Sequence, residues 1–156
     1  MSHWSALLLD QTIRRSQAQV QSAHVMARTV LVVDDNPSVG QILRLFLERR
    51  GYDVLVTDDG PAGLALGARQ RIDAALVDVH LPGMSGIEVC RILLENAATA
   101  GRLIPVWLLS GVPTPEMLQQ AQVVGALAVI GKPFNRDELL SRIDAAFRPS
   151  ATSVED

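Results

Sequence analysis

Five side chains have the types and positions to do chemistry together. Asp34 and Asp35 follow the β-branched run Thr29–Val33, and Asp78 closes the apolar run Ile72–Asp78. Ser110 ends a third such run, Leu103–Ser110, and Lys132 follows a fourth, Ala126–Ile130. An acid that closes a buried strand lies where open α/β sheets bind ligands, outside the carboxyl ends of the strands. If the strands before Asp34 and Asp78 are neighbours, three carboxylates crowd into one crevice. At about 5 Å and an effective dielectric near 20, each like-charge pair costs roughly 3 kcal/mol. Such a cluster raises a carboxylate pKa or holds a cation. Oxygen-only donors without His or Cys suit Mg²⁺ better than Zn²⁺.

The surrounding pattern supplies the scaffold these residues need. Short aliphatic runs at Thr29–Val33, Tyr52–Thr57, Ile72–Asp78, Leu103–Ser110 and Ala126–Ile130 read as strands buried on both faces of a parallel sheet. Helices are expected between them at Pro37–Arg50, Gly60–Gln70, Gly86–Asn96 and Pro115–Val124, with a last one from the cap Asn135 to Phe147. Asn36 is a good N-cap ahead of Pro37, and Gly51 and Gly125 are natural helix stops. In the first helix Val39, Ile42, Leu43, Phe46 and Leu47 make one apolar face; in the third, Ile87, Cys90 and Leu94 do, with Val89 and Leu93 beside them. Gly63 and Gly67 weaken the second helix by about 1 kcal/mol each relative to Ala. Strands alternating with helices through short loops define a doubly wound α/β domain, and right-handed crossovers bring all strand C-termini to one edge.

Asp34-Asp35 after a Val-rich strand, Asp78 followed by Pro82-Gly83 and Gly86, Ser110-Gly111, and Lys132-Pro133-Phe134 together resemble the receiver domain of bacterial two-component response regulators. The resemblance covers residues 28–148. It implies a flavodoxin-like fold with a five-stranded parallel sheet in the order 2-1-3-4-5. It also implies a role for each residue. Asp78 would be the phosphoacceptor, taking a phosphoryl group from a phosphohistidine on a sensor histidine kinase or histidine phosphotransfer protein. Asp35, Asp78 and the backbone carbonyl of His80 would bind Mg²⁺ directly, and Asp34 through water. Lys132 would pair with the acids and then with a phosphoryl oxygen, and a cis Lys132–Pro133 peptide would turn it inward. Ser110 would donate to the phosphoryl group. The protein would be no enzyme beyond its own phosphorylation and dephosphorylation.

One departure bears on output. Receivers commonly carry Tyr or Phe three residues before the lysine, and here the position is Val129. A signal through protein contacts is expected, from a face that includes Gln119, Gln120, Gln122, Val129 and Arg136. Other readings are a phosphorelay intermediate or phosphate sink, and a receiver-fold binding module that works without phosphorylation. A metal-dependent phosphohydrolase is disfavoured because such enzymes want an acid two residues after the nucleophile, where this chain has His80.

Composition narrows the classes. A formal charge of −3 argues against a nucleic-acid surface, which would show a basic stripe. The single cysteine, Cys90, allows no internal disulfide and reads as a packed side chain in a reducing compartment. Leu103–Val112 is too short to span a bilayer, and the start of the chain lacks the form of a secretory signal. A soluble cytoplasmic protein without a membrane partner is therefore expected. Residues 1–27, rich in Gln, Ser and Ala, form an extension, helical from about Trp4 to Ala23 or disordered; His3 and His24 in it are assigned nothing. Arg14-Arg15 and Arg49-Arg50 read as solvated faces. Residues 149–156 read as a tail, with no output domain following.

Overall fold

A computed structural model describes residues 27–148, together with Gln11. The expected N-terminal helix and the tail at 149–156 lie outside the described residues. Strands β1 (Thr29–Val33), β2 (Asp53–Thr57), β3 (Ala74–Asp78), β4 (Val106–Ser110) and β5 (Ala128–Gly131) alternate with helices α1 (Pro37–Arg49), α2 (Gly60–Arg69), α3 (Gly86–Thr99), α4 (Pro115–Val124) and α5 (Arg136–Phe147). All pairings are parallel, in the order β2-β1-β3-β4-β5. This is the flavodoxin-like receiver fold.

Alternate residues of each strand point to opposite faces, and each face builds its own core. Leu31, Val33, Ala75, Val77, Val106 and Leu108 meet α2, α3 and α4. Val30, Val32, Ala74, Leu76, Trp107 and Leu109 meet α1 and α5. The second core takes every aromatic ring of the described residues, with Trp107 fully buried at its centre. The first is aliphatic and includes Cys90, whose thiol burial pushes up to about 11. A thiol so buried is inert, as a packing role requires.

Several boundaries differ from the sequence reading. Ile72 and Asp73 precede β3, and Leu103 to Pro105 precede β4 as a connection, because Pro105 has no N–H to give a ladder. The third strand begins at Ala74, opposite Val30 of β1, and Ala75 N–H reaches the Pro105 carbonyl at 3.1 Å. Helix α3 runs on to Thr99, and its buried line is Gly86, Val89, Cys90 and Leu93, with Ile87 and Leu94 at the flanks. In α1 only Leu43 and Leu47 of the expected apolar face are buried with Gly40, while Ile42 stays 44% exposed. Asn36, Asp59, Ser85, Thr114 and Asn135 each cap the next helix by accepting a backbone N–H. Gly51 and Gly125 take positive φ after α1 and α4, which glycine alone adopts without strain.

Candidate functional site

The first and third strands are adjacent, with Val33 opposite Val77. Asp34 and Asp35, one and two residues beyond Val33, therefore come up beside Asp78. One carboxylate oxygen from each of Asp34, Asp35 and Asp78 lies within 4.8 Å of the others. Asp34 and Asp78 are buried and Asp35 is exposed. A carboxylate buried with its charge intact needs partners, and the backbone provides some. Asp34 Oδ1 accepts the Asn36 N–H at 2.9 Å, and Asp78 Oδ1 accepts the His80 N–H at 3.0 Å.

The remaining oxygens of the two buried acids turn to one cation. Lys132 Nζ donates to Asp34 Oδ2 at 2.7 Å and to Asp78 Oδ2 at 3.1 Å. Burial works against its charge, but the hydrogen bonds and charges of the two carboxylates outweigh it. The ammonium is held above the ordinary lysine range. The chain delivers it through a cis Lys132–Pro133 peptide, and Lys132 N–H bonds the Ser110 carbonyl at 2.8 Å. Ser110 is fully buried at the end of β4, its hydroxyl accepting the Val112 N–H at 3.2 Å. With three acids and one ammonium, the cluster keeps room for a second cation.

Asp34, Asp35, Asp78, Ser110 and Lys132 thus stand at one sheet edge. The geometry adds three details. Asp34 is the most buried of the acids and binds Lys132 directly. Capping of α1 falls to Asn36, as expected, which leaves Asp34 and Asp35 to the cluster. His80 directs its side chain outward and its amide to Asp78. Sequence reasoning quoted Gly86 as part of a pattern without seeing why it must be glycine. A Cβ there would sit 1.9 Å from the Asp78 carbonyl oxygen, so the first turn of α3 lies directly on the backbone of the central acid. The signal was available only as a glycine at a helix start, where several residue types are common.

Asp73 was also missed. At the opposite edge it accepts the Thr29 N–H at 2.8 Å and pairs with Arg71 and Arg102. Of the expected output residues, Gln119, Gln120 and Gln122 are exposed on α4, while Val129 is half-buried against the aliphatic core. Arg136 points away from that face, lying over the Phe46 ring of α1 at 5.8 Å.

A profile of the family described as "Response regulator receiver domain" matches residues 30–144. The chain belongs to this family. Receiver domains work with histidine kinases in two-component signalling, and one curated relative of this receiver is such a kinase. That protein, sensor histidine kinase AruS of Pseudomonas aeruginosa, is 34% identical over 124 residues, which is 80% of this chain and 12% of the kinase. DNA-binding response regulator MtrA of Mycolicibacterium smegmatis is 34% identical over 123 residues, 79% of this chain and 52% of that protein. The receiver spans about half or less of the length of these curated relatives. Among solved structures, the chemotaxis protein CheY4 of Vibrio cholerae superposes with a TM-score of 0.71 at 31% identity, covering 77% of this chain and 98% of that one. No helix among the described residues is long and apolar enough to cross a membrane.

Proposed function

We propose that this receiver accepts a phosphoryl group on Asp78 from a phosphohistidine of a sensor histidine kinase or phosphotransfer protein, and passes the signal on by protein contacts. The observation that carries the reading is the Lys132 ammonium bridging Asp34 and Asp78 inside a cluster that still holds excess negative charge. An Asp78 oxygen attacks phosphorus as the phosphorus–nitrogen bond to the donor imidazole breaks, and the imidazole keeps the electron pair. Lys132 is placed to exchange its Asp78 contact for a phosphoryl oxygen, as charge-assisted donors do. The oxygen-only donor set fits Mg²⁺, with Asp34, Asp35, Asp78 and the His80 carbonyl as the groups to hold it. When bound, the ion spreads negative charge off the transferring group.

The Ser110 hydroxyl is free to leave the Val112 amide for the phosphoryl group, since that bond is a long 3.2 Å. A charge-assisted hydrogen bond there is worth about 1.5–3 kcal/mol, enough to bias the Gly111–Pro115 loop and α4 without an aromatic relay. Incubation with acetyl phosphate and Mg²⁺ should give a single phosphoryl adduct by intact mass, absent in Asp78→Asn and after chelation. An adduct that survives in Asp78→Asn overturns the assignment. A second reading, docking without phosphorylation, draws on Val129, which is too small to swing between buried and exposed states as a ring does. Under that reading, hydrogen exchange in Gly111–Pro115 and α4 would be the same with and without beryllofluoride.

A further inference from the structure

The edge of the sheet opposite the acid cluster carries the reverse charge. The segments that lead into β1 to β4 bring Arg28, Arg49, Arg50, Arg69, Arg71 and Arg102 to the strand N-termini. All but Arg102 are exposed. Asp73 is shared by Arg71 and Arg102, and Asp144 pairs with Arg50. Arg49 and Arg69 form no ion pair among the described residues, Arg28 lies over the Phe147 ring at 4.5 Å, and Glu48 and Asp53 are further acids here. At the far edge Asp35, Asp58 and Glu116 stand exposed around the acid cluster. Five residues of strand at about 3.3 Å each separate the two ends, roughly twice the screening length at physiological salt. Each edge therefore presents its own sign to a partner, whatever the total charge.

The same arginine edge exposes large apolar side chains. Leu103, directly after Arg102, is 97% exposed, and Leu127, whose N–H bonds the Val106 carbonyl at the start of β4, is 59% exposed. Arginines spread along a sheet edge, with single apolar side chains projecting at one corner, match an anionic lipid surface. Phosphate headgroups take the guanidinium groups, and the apolar tips enter the acyl boundary. An acidic protein partner would engage the arginines without needing projecting leucines.

We infer that the strand N-terminal edge is a docking surface for anionic membrane, with Arg49 and Arg69 as its unpaired cations among the described residues and Leu103 and Leu127 as inserting side chains. Docked this way, the receiver turns its acid cluster away from the lipid. The test is co-sedimentation of the full chain with phosphatidylcholine vesicles that do or do not contain about a third phosphatidylglycerol. Binding at least about tenfold stronger to the anionic vesicles and lost at high salt is expected. Arg49→Glu with Arg69→Glu should remove about tenfold of it, leaving phosphorylation by acetyl phosphate unchanged as the check on folding. Leu103→Ser should weaken binding severalfold with the same salt dependence. Equal binding to neutral and anionic vesicles, or no effect of the arginine reversals, overturns the inference. So does loss of binding only in Arg14→Glu with Arg15→Glu, which would move the contact outside this edge. Binding to polyglutamate as strong as to vesicles, with Leu103→Ser inert, overturns it in favour of an acidic protein.

Discussion

At the strand C-termini one ammonium, Lys132, lies between Asp34 and Asp78, with Asp35 at the rim. At the strand N-termini one carboxylate, Asp73, lies between Arg71 and Arg102 and also accepts the Thr29 amide. The two clusters use the same chemistry in inverse proportion. Asp73 has more donors than charge, so it is saturated and ties the start of β1 to the connections before β3 and β4. The acid cluster has more charge than donors and stays open to a cation and to a phosphoryl group. Among the charged groups, stability should therefore depend on the arginine edge and chemistry on the acid edge.

Substitutions can break that division. The largest effect expected is from Gly86→Ala, whose Cβ would overlap the Asp78 carbonyl. Backbone cannot yield as a flexible side chain does, so about 3 kcal/mol or more should be lost in urea unfolding. Phosphorylation should fall with it, since α3 and the central acid move together. Asp73→Ala comes next. It orphans the Thr29 amide and strips the half-buried Arg102 of its partner, for a loss of about 2–3 kcal/mol. Acetyl phosphate should still modify the folded variant at the parent rate. A rate drop of tenfold would mean that the two edges are coupled.

Smaller effects sharpen the comparison. Ser110→Ala removes one long hydrogen bond to Val112 and should cost about 0.5–1.5 kcal/mol. Asp34→Asn should change stability by less than about 1 kcal/mol, because relief of like-charge repulsion offsets the lost ion pair. Its Mg²⁺ affinity, measured by titration calorimetry, should nevertheless drop at least about tenfold. Tyr52, the chain's single tyrosine, has no effect at neutral pH. Burial, then its hydrogen bond to Asp144, holds the phenol above the usual tyrosine range. Above pH about 10 the unfolded chain ionises first, so stability should fall as pH rises, and absorbance should show no phenolate in the folded protein there.

Element order and most of the acid cluster were legible because they follow from local rules. Buried parallel strands must be short aliphatic runs, caps and glycines mark helix ends, and a crossover rule sends all strand C-termini to one edge. The spacing of Asp34, Asp35, Asp78, Ser110 and Lys132 along that edge then suffices to nominate them. The burial of Ile42 and the start of β3 were misjudged, since periodicity does not tell how far a neighbouring helix covers a face or where a ladder begins.

What the sequence alone determined is the set of strands and helices and the identity of the charged groups at the strand ends. Only the tertiary structure decided that Asp34 is sealed under Lys132, that Gly86 rests on the Asp78 backbone, and that a net charge of −3 conceals an acidic edge and a basic one. The reason is physical: composition sums charges along the chain, whereas Coulomb forces act across the distances that folding sets, and those differ by tens of residues from the spacing in sequence.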